Sequence, residues 1–261
     1  MRLVAQVESI KNAPIQKSRA NVSTPLRTAQ HLTTAEFHAS VLELSPTVAV
    51  FDCDGTLWSG DAGSTFMKWT IETGLLSRDA TDWLDDRYRL YKRGEVSELA
   101  ICGEMLQVYV GLAESELRQS AAEFFRTRIE RNIFPEMQEL IASLQARGAD
   151  IWAVSSTNDW VIEEGVRRFN IPSNRVLSAR VQSVDGIVTN TLIDVPTDQG
   201  KVVSLANAGI TVPDAVFGNS VHDAAMLAIA RRAFPVNPTT ALVDRSITEG
   251  WPVYYPASVR P

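Results

Sequence analysis

Val48-Ala49-Val50-Phe51-Asp52-Cys53-Asp54-Gly55-Thr56-Leu57-Trp58 sets an apolar run against two carboxylates one residue apart, followed by a Gly-Thr turn. An apolar run this short, rich in β-branched and aromatic residues, predicts a strand buried on both faces, as in a parallel sheet. Side chains at i and i+2 of a strand leave from the same face, so Asp52 and Asp54 can share one site while Cys53 points elsewhere. Open α/β sheets bind ligands beyond the carboxyl ends of their strands, where both acids fall. The plainer reading of the same residues is an ordinary Asp54-Gly55 turn with Asp52 as a cap. The rest of the chain favours the first reading.

Ile151-Trp152-Ala153-Val154-Ser155-Ser156 is a second apolar strand, ending in hydroxyls. Lys201, in Asp198-Gln199-Gly200-Lys201-Val202-Val203, stands at the start of a helical pattern. Ala215-Val216-Phe217-Gly218-Asn219-Ser220-Val221-His222-Asp223 is another strand, ending in glycine and an acidic turn. These four segments, in this order, resemble the motifs of the haloacid dehalogenase-like phosphatase superfamily, whose first motif is DxDGT after a hydrophobic strand. The resemblance extends over residues 46–240 and implies an α/β fold: a Rossmann-like parallel-sheet core with an inserted helical cap. The helical insertion and the Ser-led second motif are most similar to the phosphoserine phosphatase-like branch.

The organisation read along the chain agrees. Residues 1–33 are polar and mixed, without a sustained period, and read as a flexible N-terminal extension. Residues 34–61 and 133–261 form the expected core, and 62–132 the helical cap. Thr34 to Leu44 predicts a short helix capped by Thr34, with Phe37, Val41 and Leu44 on one face. Pro135 starts a helix through Leu144 that ends near Gly148. Ser178 to Asp194 alternates around Asp185-Gly186, a hairpin signal. Strands alternating with helices imply right-handed crossovers in a parallel sheet.

Composition sets limits. The chain has 261 residues, 45% hydrophobic and 21% charged, which is ordinary for a globular protein with a sizeable core. A net charge of -6 argues against nonspecific nucleic-acid binding. No apolar run is long enough to span a membrane. Cys53 and Cys102 have neither metal-ligand spacing nor the density of a disulfide framework, so a reducing cytoplasm is the expected setting. The expected partner is a small phosphorylated metabolite.

The chemistry that the resemblance implies is phosphomonoester cleavage with Mg²⁺. Asp52 would attack phosphorus to form an aspartyl-phosphate. Asp54 would protonate the leaving oxygen, then take a proton from the hydrolytic water. Ser155, with Ser156, and Lys201 would bind the phosphate. Asp52, Asp54, Asn219 and Asp223 are the candidate metal ligands. Two carboxylates about 4 Å apart repel by roughly 4 kcal/mol at an effective dielectric of 20, so a cation belongs among them. Run as helix starts, Ser155 to Asn158 would read as no more than a cap.

The fourth motif departs from the family pattern. Its usual first acid is replaced by Asn219, whose amide oxygen can ligate Mg²⁺ but brings no charge. Asp223 then either binds metal itself or orients Asn219 and metal-bound water. Substrate choice is expected in the cap: the resemblance to the phosphoserine phosphatase-like branch implies that Asp61 contacts a substrate amine, and Arg87, Arg89 or Arg93 (the last foremost) are then the candidates to face a carboxylate. Trp58, Trp69, Trp83, Tyr88 and Tyr91 offer either an aromatic cage for a quaternary ammonium or ordinary core. The leading reading is a phosphatase for phosphoserine, phosphocholine or a similar metabolite. Phosphoryl transfer to a second alcohol, or a catalytically quiet binding protein motivated by Asn219, are the alternatives. No role is assigned to His222.

Overall fold

The strand that carries the two acids lies in the middle of a six-stranded sheet. The structure, a computed structural model, describes residues 28–258. In chain order the elements are β1 (His31–Leu32), α1 (Thr34–Leu44), β2 (Val48–Phe51), α2 (Ala62–Glu72), α3 (Arg78–Lys92), α4 (Glu98–Gln107) and α5 (Glu114–Phe124). A π-helical turn (Phe125–Ile129) and a 3-10 turn (Glu130–Asn132) lead into α6 (Pro135–Ala146) and β3 (Asp150–Asn158). Then follow α7 (Asp159–Val166), β4 (Val176–Val184), β5 (Ile187–Asp194), α8 (Gln199–Asn207) and β6 (Ala215–Gly218). The chain closes with α9 (Ala224–Ala228), β7 (Arg232–Pro235), α10 (Thr240–Glu249) and β8 (Val253–Tyr254).

The sheet order is β5-β4-β3-β2-β6-β7. All neighbours are parallel except β4 and β5. That antiparallel pair is the expected hairpin, and Asp185 and Gly186 take φ of 51° and 78° at its turn, as a two-residue primed turn needs. β2 is covered on both faces, as its unbroken apolar run predicts. Ala49 and Phe51 join the larger core with Phe217 and Phe234, and Val50 joins a second cluster with Trp152, Val154 and Val216. The Phe51 and Phe217 rings stack with centroids 4.2 Å apart. This packing fixes the strand ends from which the acids project.

Local signals mostly hold. Thr33, one residue earlier than expected, caps α1 and exchanges bonds with Glu36 in a capping box. Pro135 opens α6, and Gly148 with φ 84° follows its end. His31 and Leu32 pair with Val253 and Tyr254, so the folded chain begins inside the stretch expected to be a flexible extension. Its residues 1–27 lie outside the described ones.

The helices between the first two sheet strands divide their burial. Phe66 and Trp69 of α2 and Leu117, Ala121 and Phe124 of α5 enter the main core. Met67, Leu84, Val96 and Ile101 make a small core of their own among α2, α3 and α4. That second core lets α3 and α4 stand over the carboxyl ends of the strands as a roof.

Candidate active site

Asp52 continues the sheet past β2, its N–H donating to Phe217 O at 2.9 Å. The chain then turns at once: Thr56 and Leu57 donate their N–H groups to Cys53 O at 3.1 and 2.8 Å. Gly55 sits in this turn with φ 76°, and a Cβ there would fall 1.8 Å from Asn219 Nδ2. Only glycine meets both demands. The turn brings the Thr56 hydroxyl back to Asp52 Oδ2 at 2.8 Å.

Lys201 takes the other oxygen. Its ammonium, 2% exposed, donates to Asp52 Oδ1 at 2.7 Å, to Asp223 Oδ1 at 2.5 Å and to Val154 O at 3.2 Å. Burial opposes its charge, but Asp223 and Asp52 outweigh burial and hold the ammonium firmly protonated. Asp52 is pushed up to about 6, first by burial and then by Asp223, against the pull of Lys201 and Thr56.

Asp223 has no oxygen to spare. Its Oδ2 accepts from the N–H groups of Asn219 and Ser220, both at 2.9 Å. Its packing demands Gly218, where a Cβ would fall 2.6 Å from the Asp223 Cβ. Asn219 differs: its side-chain amide lies against Gly55 and makes no hydrogen bond among the described residues.

Asp54 is held by three donors. Trp58 Nε1 reaches Oδ1 at 2.6 Å, Ala62 N at the start of α2 reaches it at 2.9 Å, and Thr157 Oγ1 reaches Oδ2 at 2.7 Å. The indole is itself fixed, edge-on to Phe125 at 5.2 Å and against Gly165, where a Cβ would fall 2.8 Å from the ring. Trp58 is therefore the clamp of Asp54 and no part of an aromatic cage. Burial foremost, then the charge of Asp61, pushes Asp54 up to about 7 despite these donors. Two neighbouring acids thus differ in kind: one is tied to a lysine, the other poised to exchange a proton near neutral pH.

The second motif ends at Ser155, which is buried. Its hydroxyl oxygen accepts from Thr157 N at 3.1 Å, leaving the hydroxyl proton free to donate. The Thr157 N–H is spent on this bond. Asn158 caps α7 through Val161 N at 3.0 Å, as the sequence suggests.

One cavity of about 390 Å³ unites most of these groups. Asp52, Asp54, Asp61, Ser155, Ser156, Lys201 and Asn219 line it, and Asp223 lies beneath, behind Lys201. Asp61 also caps α2 through Ser64 N at 2.8 Å. Arg93 is the exception: it is exposed, pairs with Glu95 at 2.6 Å and does not line the cavity. Arg87 is engaged by Glu104 and Arg89 by Asp86, so the expected carboxylate anchor is not built from these arginines. Of the five aromatics, Tyr88 and Tyr91 line the cavity, while Trp69 is core and Trp83 is exposed on α3.

Sequence reasoning missed the Thr157 hydroxyl, Glu98 and His222. The signal for Thr157 is its place in a strand-end run of hydroxyls. Glu98 and His222 carry no such signal, because their approach depends on how α4 lies over the core.

The oxygens that line the site are hard donors: the Asp52 and Asp54 carboxylates, each already accepting hydrogen bonds, and the unbonded Asn219 amide. Among the described residues, no group of three or more His, Cys, Asp or Glu gathers to hold a metal, in keeping with an amide where a third acid would stand. The set fits a Mg²⁺-type cation through oxygen ligands, with one negative charge fewer than an aspartate at 219 would supply.

Comparison with known proteins agrees with this geometry. Residues 49–228 match the family model of haloacid dehalogenase-like hydrolases. The chain is 27% identical over 216 residues to a histidinol-phosphatase of Neisseria meningitidis serogroup C, covering 79% of this chain and 97% of that protein. A solved structure from Bordetella pertussis Tohama I, described as a protein with unknown function, matches with a TM-score of 0.71 at 24% identity, covering 79% of this chain and 97% of that one. A substrate-bound phosphoserine phosphatase shares the fold with a TM-score of 0.54 at 13% identity, covering 80% and 92%. With more than half its length matched and the strand-end acids, the lysine and the hydroxyl brought to one cavity, this chain belongs to the haloacid dehalogenase-like hydrolase family.

Proposed function

We propose that the protein is a Mg²⁺-dependent phosphatase that hydrolyses a small phosphomonoester through an aspartyl-phosphate on Asp52. The observation that carries this reading is the division of labour between Asp52, held by Lys201 and Thr56, and Asp54, poised near neutrality. An ionised Asp52 oxygen attacks phosphorus as the bond to the leaving oxygen breaks. Asp54 delivers its proton to that oxygen, so the alcohol departs neutral. Asp54, now a carboxylate, takes a proton from water as the water oxygen attacks the phosphoryl group and frees Asp52.

Lys201 balances charge through both half-reactions, and the Ser155 hydroxyl donates to a phosphoryl oxygen. Asp52, Asp54 and Asn219 are the residues that would hold Mg²⁺, which neutralises phosphate charge when bound. Asp223 serves instead to aim Lys201. The names of the relatives, a histidinol-phosphatase and phosphoserine phosphatases, support phosphomonoesterase chemistry. Two free cysteines fit a cytoplasmic setting. No helix among the described residues is long and apolar enough to cross a membrane.

The test is p-nitrophenyl phosphate hydrolysis with Mg²⁺ and after exhaustive chelation, together with acid-quenched mass analysis for a phosphoryl group on the Asp52 peptide. Turnover that survives chelation, or a phosphoryl group found on another residue, overturns the proposal. Asp52→Asn should abolish turnover.

A further inference from the structure

The roof of the cavity carries an acid that the phosphatase reading leaves without work. Glu98, at the first position of α4, lines the cavity. Its side chain is 13% exposed, and its Oε2 is buried with no hydrogen-bond partner. Oε1 accepts from the Cys102 thiol at 3.6 Å, and the Tyr91 hydroxyl bonds to the same carboxyl group. A buried carboxylate oxygen without a donor is a costly arrangement, and proteins keep it where a ligand completes it.

The nearest charged neighbour does not complete it. His222 Nε2 lies 3.5 Å from Glu98 Oε2. The other ring nitrogen, Nδ1, is 2.9 Å from Asp198 Oδ1. A carboxylate only accepts, so Nδ1 carries the proton shared with Asp198. Glu98 on the roof and the His222 ring on the floor face each other at 3.5 Å without a hydrogen bond between them. A ligand group bearing several N–H donors and a positive charge satisfies the open carboxylate oxygen.

The rings beside them favour the same group. Tyr88 and Tyr91 line the cavity with centroids 5.8 Å apart. Their faces already receive a cation, the exposed Lys92 ammonium, at 5.0 and 5.2 Å from the two centroids. Around the roof, Asp61 and Glu98 outnumber Lys92 among the charged lining residues.

We propose that Glu98 binds a protonated nitrogen on the alcohol part of the substrate, so that the preferred substrates are phosphate esters of amino or imidazolyl alcohols. This rests on the phosphatase reading for its phosphate end. It concerns a different residue from Asp61, whose oxygens are occupied in capping α2. A phosphate held at Lys201 and Ser155 and a cation held at Glu98 fix both ends of a short molecule in one cavity.

The experiment compares kcat/KM for histidinol phosphate and phosphoethanolamine with that for glycerol 3-phosphate, in the full chain and in Glu98→Gln. The wild type should favour the cationic esters at least about ten-fold, the discrimination expected of a charge-assisted hydrogen bond worth about 1.4 kcal/mol. Glu98→Gln should bring the ratio toward one, chiefly through KM. A wild type indifferent to the charge, or a variant that keeps the ratio, overturns the proposal. Calorimetric titration of Asp52→Asn protein with the same esters, with and without Glu98→Gln, reads binding without turnover. A charge preference absent from the Asp52→Asn protein, or one that survives the added Glu98→Gln, refutes the Glu98 assignment even if no ester is hydrolysed, whereas absent hydrolysis with charge-selective binding refutes only the phosphatase reading. Glutamine is isosteric, and an unchanged unfolding temperature excludes a folding defect.

Discussion

Lys201→Met isolates the charge that holds the site together. Methionine follows most of the lysine stem, so packing is nearly kept while the ammonium between Asp52 and Asp223, at 2.7 and 2.5 Å, is lost. Removing one partner of a buried ion pair costs about 3–5 kcal/mol, because the remaining charge stays buried and unpaired. At about 2.1 cal/mol/K per residue, a chain of this length unfolds with an entropy of roughly 0.5 kcal/mol/K, so Tm should fall by about 6–10 °C at pH 7.5.

The pH dependence supplies the sign. Asp52 is already pushed up to about 6 in the native state, and losing Lys201 removes two of the influences that lower it. A carboxyl whose folded pKa exceeds its unfolded value takes up protons on folding, so stability falls as pH rises through that window. The deficit of the variant should therefore be full above the raised pKa and should shrink on acidification, by at most about 1.4 kcal/mol per pH unit for each acid. Thermal unfolding of both proteins by circular dichroism at pH 5 and pH 7.5 measures this. A variant within about 2 °C of the wild type at pH 7.5, or a deficit that deepens as pH falls, would refute the account of Lys201 as the counter-charge of a buried acid pair.

Two further outcomes follow from the same geometry. Because Asp54 is raised to about 7 by burial and by Asp61, its proton is lost as pH rises through that value; kcat/KM for an alkyl phosphate should decline above about pH 7, and Asp54→Asn should abolish the decline while slowing alkyl esters far more than p-nitrophenyl phosphate. Equal losses with good and poor leaving groups count against Asp54 as the proton donor. Asn219→Asp should tighten Mg²⁺ in a titration of activity, since it adds a carboxylate beside Gly55 in the cavity that Asp52 also lines; Asp223→Asn should lower kcat and stability with little change in metal affinity, because its oxygens serve Lys201 and two backbone N–H groups. A metal affinity that follows Asp223 instead of Asn219 reverses that assignment.

Much of this protein was legible in one dimension. An apolar run ending in two acids states a buried strand and the end at which chemistry gathers, since strand periodicity and the polarity of a parallel sheet are local properties. Asp185-Gly186 and Pro135 declare their turn and helix start for equally local reasons. What adjoins the site from a distance was not legible. Arg93 looked as eligible as any cation in the insertion, and only the orientation of α3 turned it to Glu95 and solvent. Trp58 read as a candidate for a cage until Phe125 and Gly165 were seen to lock its indole onto Asp54. The choice between Asn219 and Asp223 was equally open, because both side chains follow one short strand. In the tertiary structure Lys201, arriving from α8, draws Asp223 inward, while the Asn219 amide stays in the cavity lining beside Gly55. Sequence determines which groups a strand delivers to its end; the packing of other elements around that end decides which of them remain free to meet a ligand.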